Sequence, residues 1–415
     1  MEKAMKLKKT RLHILQKAEN LRNRALTGIS LHCHTQHSRE LMDFVPIYAE
    51  KLPIVSYYWK RERRNYIERE GRDIDFLTAY WSPPLPPDCV YRSEIEQIEN
   101  SGLDAIVSVT DHDCIEANLD FNAQREEGEF PISMEWTVPY RTGFFHVGVH
   151  NLPPANAKEI TETLLDFTFD KGKQGAGRLN ELFAMLWDIQ DVLIVLNHPA
   201  WDIEMSGEEA HANLLKQFLG EHGRWLHALE FNGFRSWSEN MLVVAIADEM
   251  GLPVVTGGDR HGCKPNTVIN LTQGKTFAEF VDEVRTDKHS EIVMMPEYSQ
   301  PLPSRQLQSF AEILSEYPEF PEGRRKWFDR TCFDIGDGNG LRPLSDHWRI
   351  GGPKWLRAAI KVLGILGDPR LRPVFRMLRN RSDRVPQIPF GVDSGIIEKP
   401  DVSSMLHGKP VGTET

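Results

Sequence analysis

Cysteine is scarce in this chain, and no two of its cysteines stand close in sequence. The five residues Cys33, Cys89, Cys114, Cys263 and Cys332 show no CxxC spacing and are odd in number. They point to neither a disulfide framework nor a thiolate zinc site, and a reducing cytoplasm is the expected setting. Long apolar runs are also missing. No stretch of eighteen apolar residues occurs, so no transmembrane segment is expected. The opening MEKAMKLKKTRLHILQKAENLRNRAL lacks the apolar core and small-residue cleavage site of a secretory leader. There is neither an internal repeat nor a low-complexity tract. Positive charge is in the minority, with 49 Lys and Arg against 60 Asp and Glu, a net charge of -11. That balance argues against a protein built mainly to coat nucleic acid.

What is present is unevenly placed. Residues 1–28 carry eight Lys and Arg against two Glu, and residues 342–384 are basic as well. Both stretches read as solvated helix faces. Residues 1–27 are predicted to form a basic amphipathic helix with Leu12, Ile14, Leu15, Leu21 and Ala25 as its apolar stripe.

The body spans 28–295. Short apolar runs recur there at Ile29–Leu31, Ala105–Val109, Ile132–Met134, Phe144–Val149, Val192–Leu196, Leu226–Phe231 and Pro253–Val255. Helix-like stretches such as RLNELFAMLWDI and SENMLVVAIADEMG lie between most of them. This alternation predicts an α/β fold with a largely parallel sheet or barrel, and seven strands suit a barrel. Only Thr137–Gly143 separates the third and fourth strands, too little for a helical crossover. That pair is predicted to be an antiparallel hairpin turning at Tyr140–Gly143, which makes the expected form a distorted TIM-like barrel. An insert at about 42–92, containing KRERR and WSPPLPPD, is expected to be an ordered lid or wall. A Pro-rich boundary near 296 opens a C-terminal helical extension, 296–415, with helices near 304–316 and 354–366. The second of these is expected to pack against the barrel, because its apolar residues nearly encircle it. A poorly ordered Pro/Gly-rich tail is expected to follow.

Chemistry-bearing residues gather at the ends of the apolar runs. In Ser30-Leu31-His32-Cys33-His34, strand alternation would aim both imidazoles to one side, a natural bite for a metal. Thr110-Asp111-His112-Asp113 follows AIVSV. His112 is the better ligand candidate, and Asp113 reads equally as a helix cap. Glu135 ends another apolar strand, where an unpaired carboxylate would be costly. His146 on the returning strand is favoured as its companion, with His150 as the alternative. Asn197-His198-Pro199 caps VLIVL. Gly257-Gly258-Asp259-Arg260-His261-Gly262 repeats the i, i+2 spacing of His32 and His34, and its glycines suit a crowded site. Read singly, each motif has a structural explanation; gathered on one rim, they read as a metal site.

The ordered set HCHT, TDHD, strand Glu, NHP and GGDRHG resembles the polymerase and histidinol phosphatase (PHP) superfamily of metal-dependent phosphoesterases. The resemblance covers about residues 28–262. It implies a distorted seven-stranded (β/α) barrel holding two or three divalent ions. His32, His34, Glu135 and Asp259 would hold the first ion. Glu135 would bridge to a second, completed by His146 and His198. His112 and His261 would hold a third, to which Glu40, or else His37, would add the remaining ligand. Mixed imidazole and carboxylate donors suit Zn, Mn or Fe. Such ions acidify a bound water and offset phosphate charge, so the expected activity is phosphoester hydrolysis. The substrate would be a phosphorylated small molecule or a short nucleic acid.

Asp111 would orient a ligating imidazole. Arg260 is placed with Asp111 as a catalytic candidate, and Arg235 and Lys264 are further possible phosphate contacts; each of these cations reads equally as a surface charge. The rival readings are a metal-dependent amidohydrolase, which also opens on HxH, and a catalytically inactive PHP module used for binding.

Overall fold

The computed structural model describes residues 10–15, 20–51, 53–73, 75–76, 78–124, 130–377, 385–386, 392–393 and 397–407. Its strands in chain order are β1 (Thr10–Ile14), β2 (Thr27–Leu31), β3 (Glu40–Leu41), β4 (Tyr80–Trp81) and β5 (Asp104–Ser108). Next come β6 (Ile132–Tyr140), β7 (Gly143–Leu152), β8 (Leu193–Leu196), β9 (Ala228–Asn232) and β10 (Val254–Gly257). The last are β11 (Val268–Thr272), β12 (Ser290–Met294), β13 (Thr331–Phe333), β14 (Arg342–Pro343) and β15 (Val392–Asp393).

The strands form three sheets, ordered β15-β1-β12-β11-β2-β5, β10-β9-β8-β7-β6 and β14-β13-β4-β3. Leu193–Leu196 is buried throughout, as an apolar strand covered on both faces must be. The sequence signals that end the helices are equally local. Helix Trp237–Met250 starts at a capping box in which Ser236 and Glu239 satisfy each other's backbone N–H groups. It stops at Gly251, whose φ of 74° is the left-handed cap conformation that glycine adopts freely.

All seven expected strands of the body are present, as β2 and β5 to β10. The expected hairpin is present too: β6 and β7 pair antiparallel from Ile132↔Leu152 to Tyr140↔Gly143. A closed barrel is not found among the described residues. The body splits between two sheets, whose rims are linked by the isolated bridges Cys33↔Arg260 and His112↔Glu135.

The N-terminal helix is overturned where residues are described. Thr10–Ile14 is a strand, in parallel register with Ser290–Met294. Leu12 and Ile14 satisfy strand alternation as well as a helical stripe, and pairing with a segment far along the chain decides between them. Residues 1–9 and 16–19 of that expected helix lie outside the described residues.

The insert is ordered, with helices Val45–Lys51 and Pro53–Glu70. Nor does 296 mark a break in pairing. β13, from the C-terminal extension, pairs with β4, which in turn pairs with β3 and Glu40. Helix Lys354–Leu366 packs against helix Leu302–Ile313. Gly367, at its end, lies against Ala311 and Leu307 of helix Leu302–Ile313, and Trp355 stacks on Tyr58 of the insert at 5.6 Å. Of the expected tail, residues 378–384, 387–391, 394–396 and 408–415 lie outside the described residues, and Val392–Asp393 pairs antiparallel with β1.

His227 gives the fold a pH dependence. Buried just before β9, its Nδ1 accepts the Ile194 backbone N–H at 2.9 Å, and burial drives its pKa down to about 2. The neutral form therefore belongs to the fold, and the unfolded chain alone takes up the proton below about pH 6.5. Stability supplied by this group is intact above pH 6.5 and falls away as pH drops below it, by roughly 2 kcal/mol at pH 5. Denaturant titrations at pH 7 and pH 5 should show wild type losing about that much more than His227→Asn. Equal losses would mean that His227 is already charged in the folded state.

Candidate metal centre

β2 and β5 pair in parallel in one sheet, β8, β9 and β10 pair in parallel in another, and the carboxyl ends of these five strands meet at one rim. Backbone bonds stitch the rim together: Gly258 N–H to Leu31 O, Asp259 N–H to His32 O, His34 N–H to Arg260 O and Asp113 N–H to Glu135 O. On the β6–β7 hairpin, Glu135 faces Gly148 across the ladder and Thr137 faces His146. Glu135 and His146 thereby share one face as diagonal neighbours.

Glu135 is the hub. Its Oε2 lies 3.0 Å from His32 Nε2, 3.4 Å from His34 Nε2 and 3.2 Å from His112 Nε2. Its Oε1 lies 3.2 Å from His198 Nε2 and 3.4 Å from His146 Nδ1, and accepts a 3.0 Å bond from Asn197 Nδ2. Asp259 Oδ1 is 3.7 Å from both His32 and His34. Glu40 completes the other end, 3.2 Å from His112 Nε2 and 3.1 Å from His261 Nε2. All nine expected ligands are thus brought together. His150 and His37 are not: His150 sits beyond Gly148 with its Nδ1 2.9 Å from Ser108 Oγ.

Three groups have donor atoms close enough to share an ion: His32, His34 and Glu135; His112, Glu135 and His146; and His34, Glu40, His112 and His261. His112 and His34 each belong to two of these groups. The residues fit divalent ions. His34 Nε2 is buried and has no hydrogen-bond partner. Burial lowers the His34 pKa to about 3 and the His146 pKa to about 4, leaving both imidazoles neutral with a lone pair to offer. Burial would lift the Glu135 carboxyl, but His32, His112 and His146 hold it well below the usual range. Asp259, likewise buried, is held low by the neighbouring imidazoles of His34, His32 and His261.

The candidate centre is open on one side. His32, His34 and Glu135 are sealed, whereas the side chains of His112, His146 and His261 are 12, 11 and 18% exposed. Trp81 stands 5.7 Å from the His261 ring and Trp201 5.1 Å from the His198 ring, flanking that mouth.

No protein-family model matches the chain, and no curated protein matches it. Solved structures that resemble it include PsfC from Pseudomonas syringae, 15% identical over 50% of this chain and 84% of that one, with a TM-score of 0.34. An amidohydrolase from Chromobacterium violaceum is 18% identical over 44% of this chain and 84% of its own, with a TM-score of 0.28. A protein described as a metal-dependent phosphoesterase from Bifidobacterium adolescentis is 15% identical over 64% of this chain and 97% of its own, with a TM-score of 0.32. Likeness at these levels carries no argument about chemistry, so the function rests on the residues.

Two expected roles are corrected. Asp111 touches no imidazole; its carboxylate accepts the Thr35 N–H at 2.5 Å and the Thr35 hydroxyl at 2.7 Å. It fixes the turn just after His34. Arg260 is buried and bonds Ser93 Oγ, the Lys264 carbonyl and Glu94 rather than the cluster. Asp113, ahead of helix Glu116–Gln124, accepts the Thr137 N–H at 2.8 Å. Lys264 is exposed.

Glu230, on β9, orients the cluster. Its Oε1 is 2.5 Å from His32 Nδ1, and its Oε2 accepts from the His198 N–H at 2.8 Å and Asn232 Nδ2 at 2.9 Å. Its signal in the sequence is a lone acid within the apolar run ALEFN. Ser38, whose hydroxyl donates to Glu40 at 2.6 Å and accepts the His112 N–H, had no such signal. The backbone is held in the left-handed region at His32 (φ 60°), His198 (φ 29°) and Asp259 (φ 53°). β2 therefore ends before His32, and it is this turn rather than simple alternation that aims both imidazoles inward. Gly257 has no room for a side chain, because a Cβ there would overlap Glu230 and His32.

Proposed function

We propose that this chain is a metal-dependent hydrolase acting on phosphoesters. Water would replace the ester oxygen at phosphorus, releasing an alcohol and a phosphate group. The observation that carries the reading is Glu135, whose two oxygens face different sets of imidazoles at the centre of three overlapping donor groups. His32, His34 and Asp259 would hold an ion with Glu135, His146 and His198 a second, and Glu40, His112 and His261 a third. Bound Zn, Mn or Fe would supply an acidified water and offset the charge of the phosphate. The chain's own part is to hold the ligands in place, through Glu230 on His32 and Ser38 on Glu40, and to seal one side from solvent. The two linking bridges support reading the body as one distorted seven-stranded ring. The substrate class is a phosphorylated small molecule or short nucleic acid. The five free cysteines fit a cytoplasmic setting.

Protein purified without chelator is expected to carry about two to three transition-metal ions per chain. It should hydrolyse p-nitrophenyl phosphate or its diester and leave a p-nitroanilide intact. Less than half an equivalent of metal, with no activity restored by Mn, Zn or Fe, would overturn the reading. Cleavage of the anilide alone would make the protein an amidohydrolase. Full metal content without turnover on any ester would make it a binding module.

A further inference from the structure

Helix Lys354–Leu366 turns an apolar side to solvent. Ala358, Val362, Ile365 and Leu366 are spaced so as to share that side, where Val362 is 53% and Ile365 64% exposed. Leu356, Ile360 and Leu363 are partly buried on the opposite side. The next helix, Arg372–Met377, continues the pattern with Val374 and Met377, three residues apart and both exposed. The Arg372 guanidinium donates to Gln308 of helix Leu302–Ile313 at 2.7 Å, so both helices are fixed to one support. An exposed apolar patch of this kind marks a surface that meets something else.

Charge says what it meets. Residues 354–377 hold six Lys and Arg against a single Asp, in a chain whose net charge is -11. That acid, Asp368, is engaged within its own turn, where Oδ1 accepts the Arg370 N–H at 2.8 Å. Lys354 and Lys361 stand exposed along one edge of the apolar side, and Arg370 is exposed between the two helices. Among the described residues no carboxylate pairs with these three. Long cations can lay their stems beside apolar neighbours while their charges reach outward, which suits the boundary between lipid tails and anionic headgroups. A second copy of the chain fits less well, because a two-fold pairing would set Lys354 and Lys361 against the same cations. The core of a protein interface favours aromatic anchors, and the single aromatic of this helix, Trp355, is already stacked on Tyr58. With 13 residues the helix is too short to cross a bilayer, so it would lie along the surface.

We infer that helix Lys354–Leu366, together with Val374 and Met377, is a docking face for an anionic membrane surface. The helix is held in advance by Tyr58 and by helix Leu302–Ile313, so docking need not fold it. The same support reaches the candidate centre, since Glu312 of helix Leu302–Ile313 accepts the Cys263 N–H at 2.6 Å, two residues after His261. Docking would therefore fix the orientation of the centre relative to the membrane.

The test is flotation of the full chain with vesicles of phosphatidylcholine alone and of an equal mixture with phosphatidylglycerol. Binding is expected on the anionic vesicles, and should be weaker by at least roughly tenfold on the neutral ones and at high salt. Val362→Ser with Ile365→Ser should weaken binding to anionic vesicles by roughly tenfold or more, as loss of two inserted side chains does. Lys354→Gln with Lys361→Gln should weaken it by about tenfold to thirtyfold. All four side chains are exposed, so both variants should melt as wild type does; if the serine pair melts lower, the glutamine pair decides. No binding to anionic vesicles, equal binding to neutral ones, or unchanged binding in the variants would each overturn the inference. So would a wild-type dimer in sedimentation velocity that the serine pair splits into monomers, because a second copy would then cover the face.

Discussion

Glu135→Gln is expected to lower turnover on a phosphoester by at least roughly a hundredfold, with loss of bound metal. The substitution keeps the size of the side chain and removes its charge. In the native site Oε1 faces His146, His198 and Asn197, while Oε2 faces His32, His34 and His112. An amide has one oxygen and one NH2, so one of these sets would lose its acceptor and meet a donor instead. Whichever way the amide turns, ions on opposite sides of the carboxylate can no longer share it. The measurements are steady-state turnover on p-nitrophenyl phosphate and elemental analysis of the same preparation. Near-normal turnover with full metal content would show that Glu135 is a structural residue.

Much of this arrangement was legible in the sequence because it is local. The strands of the body are short apolar runs bounded by polar or turn residues, and most of the ligands lie within one of them or a few residues after it. The β6–β7 hairpin was legible from spacing alone, since so short a connection admits no helix. What failed depended on distance along the chain. Thr10–Ile14 is too short for its apolar positions to distinguish a strand from a helix, and its partner lies at Ser290–Met294. β3, β4, β13 and β14 unite the insert with the C-terminal extension through pairs that no local pattern announces.

The misread site residues share one cause. Arg260 lies between Asp259 and His261, and Asp111 lies beside His112, so nearness in sequence suggested a shared role. Neighbours in sequence are turned apart here by the left-handed backbone at His32 and Asp259. Cys33 packs into the core while His32 and His34 face the cluster, and Arg260 reaches Glu94. Glu230 was overlooked although the desolvation argument that singled out Glu135 applies to it equally: both are buried acids within apolar strands.

Glu230→Gln should therefore be the second most damaging change. Glu230 uses both oxygens, one against His32 Nδ1 and the other under the His198 N–H and the Asn232 amide. If the new NH2 faces His198 and Asn232, donor meets donor. If it faces His32, the acceptor that fixes the imidazole's orientation is lost, and the Nε2 that looks toward Glu135 loses its aim. Outer contacts of this kind typically govern metal affinity by tenfold to a hundredfold. Competition with a fluorescent chelator should show a loss in that range, together with about 1–3 kcal/mol lower stability of the metal-free protein. Because the ligands themselves remain, excess metal should restore much of the turnover, which separates this variant from Glu135→Gln. Unchanged metal affinity in Glu230→Gln would mean that the turn at His32 alone sets the imidazole, leaving Glu230 with only the His198 and Asn232 contacts to satisfy.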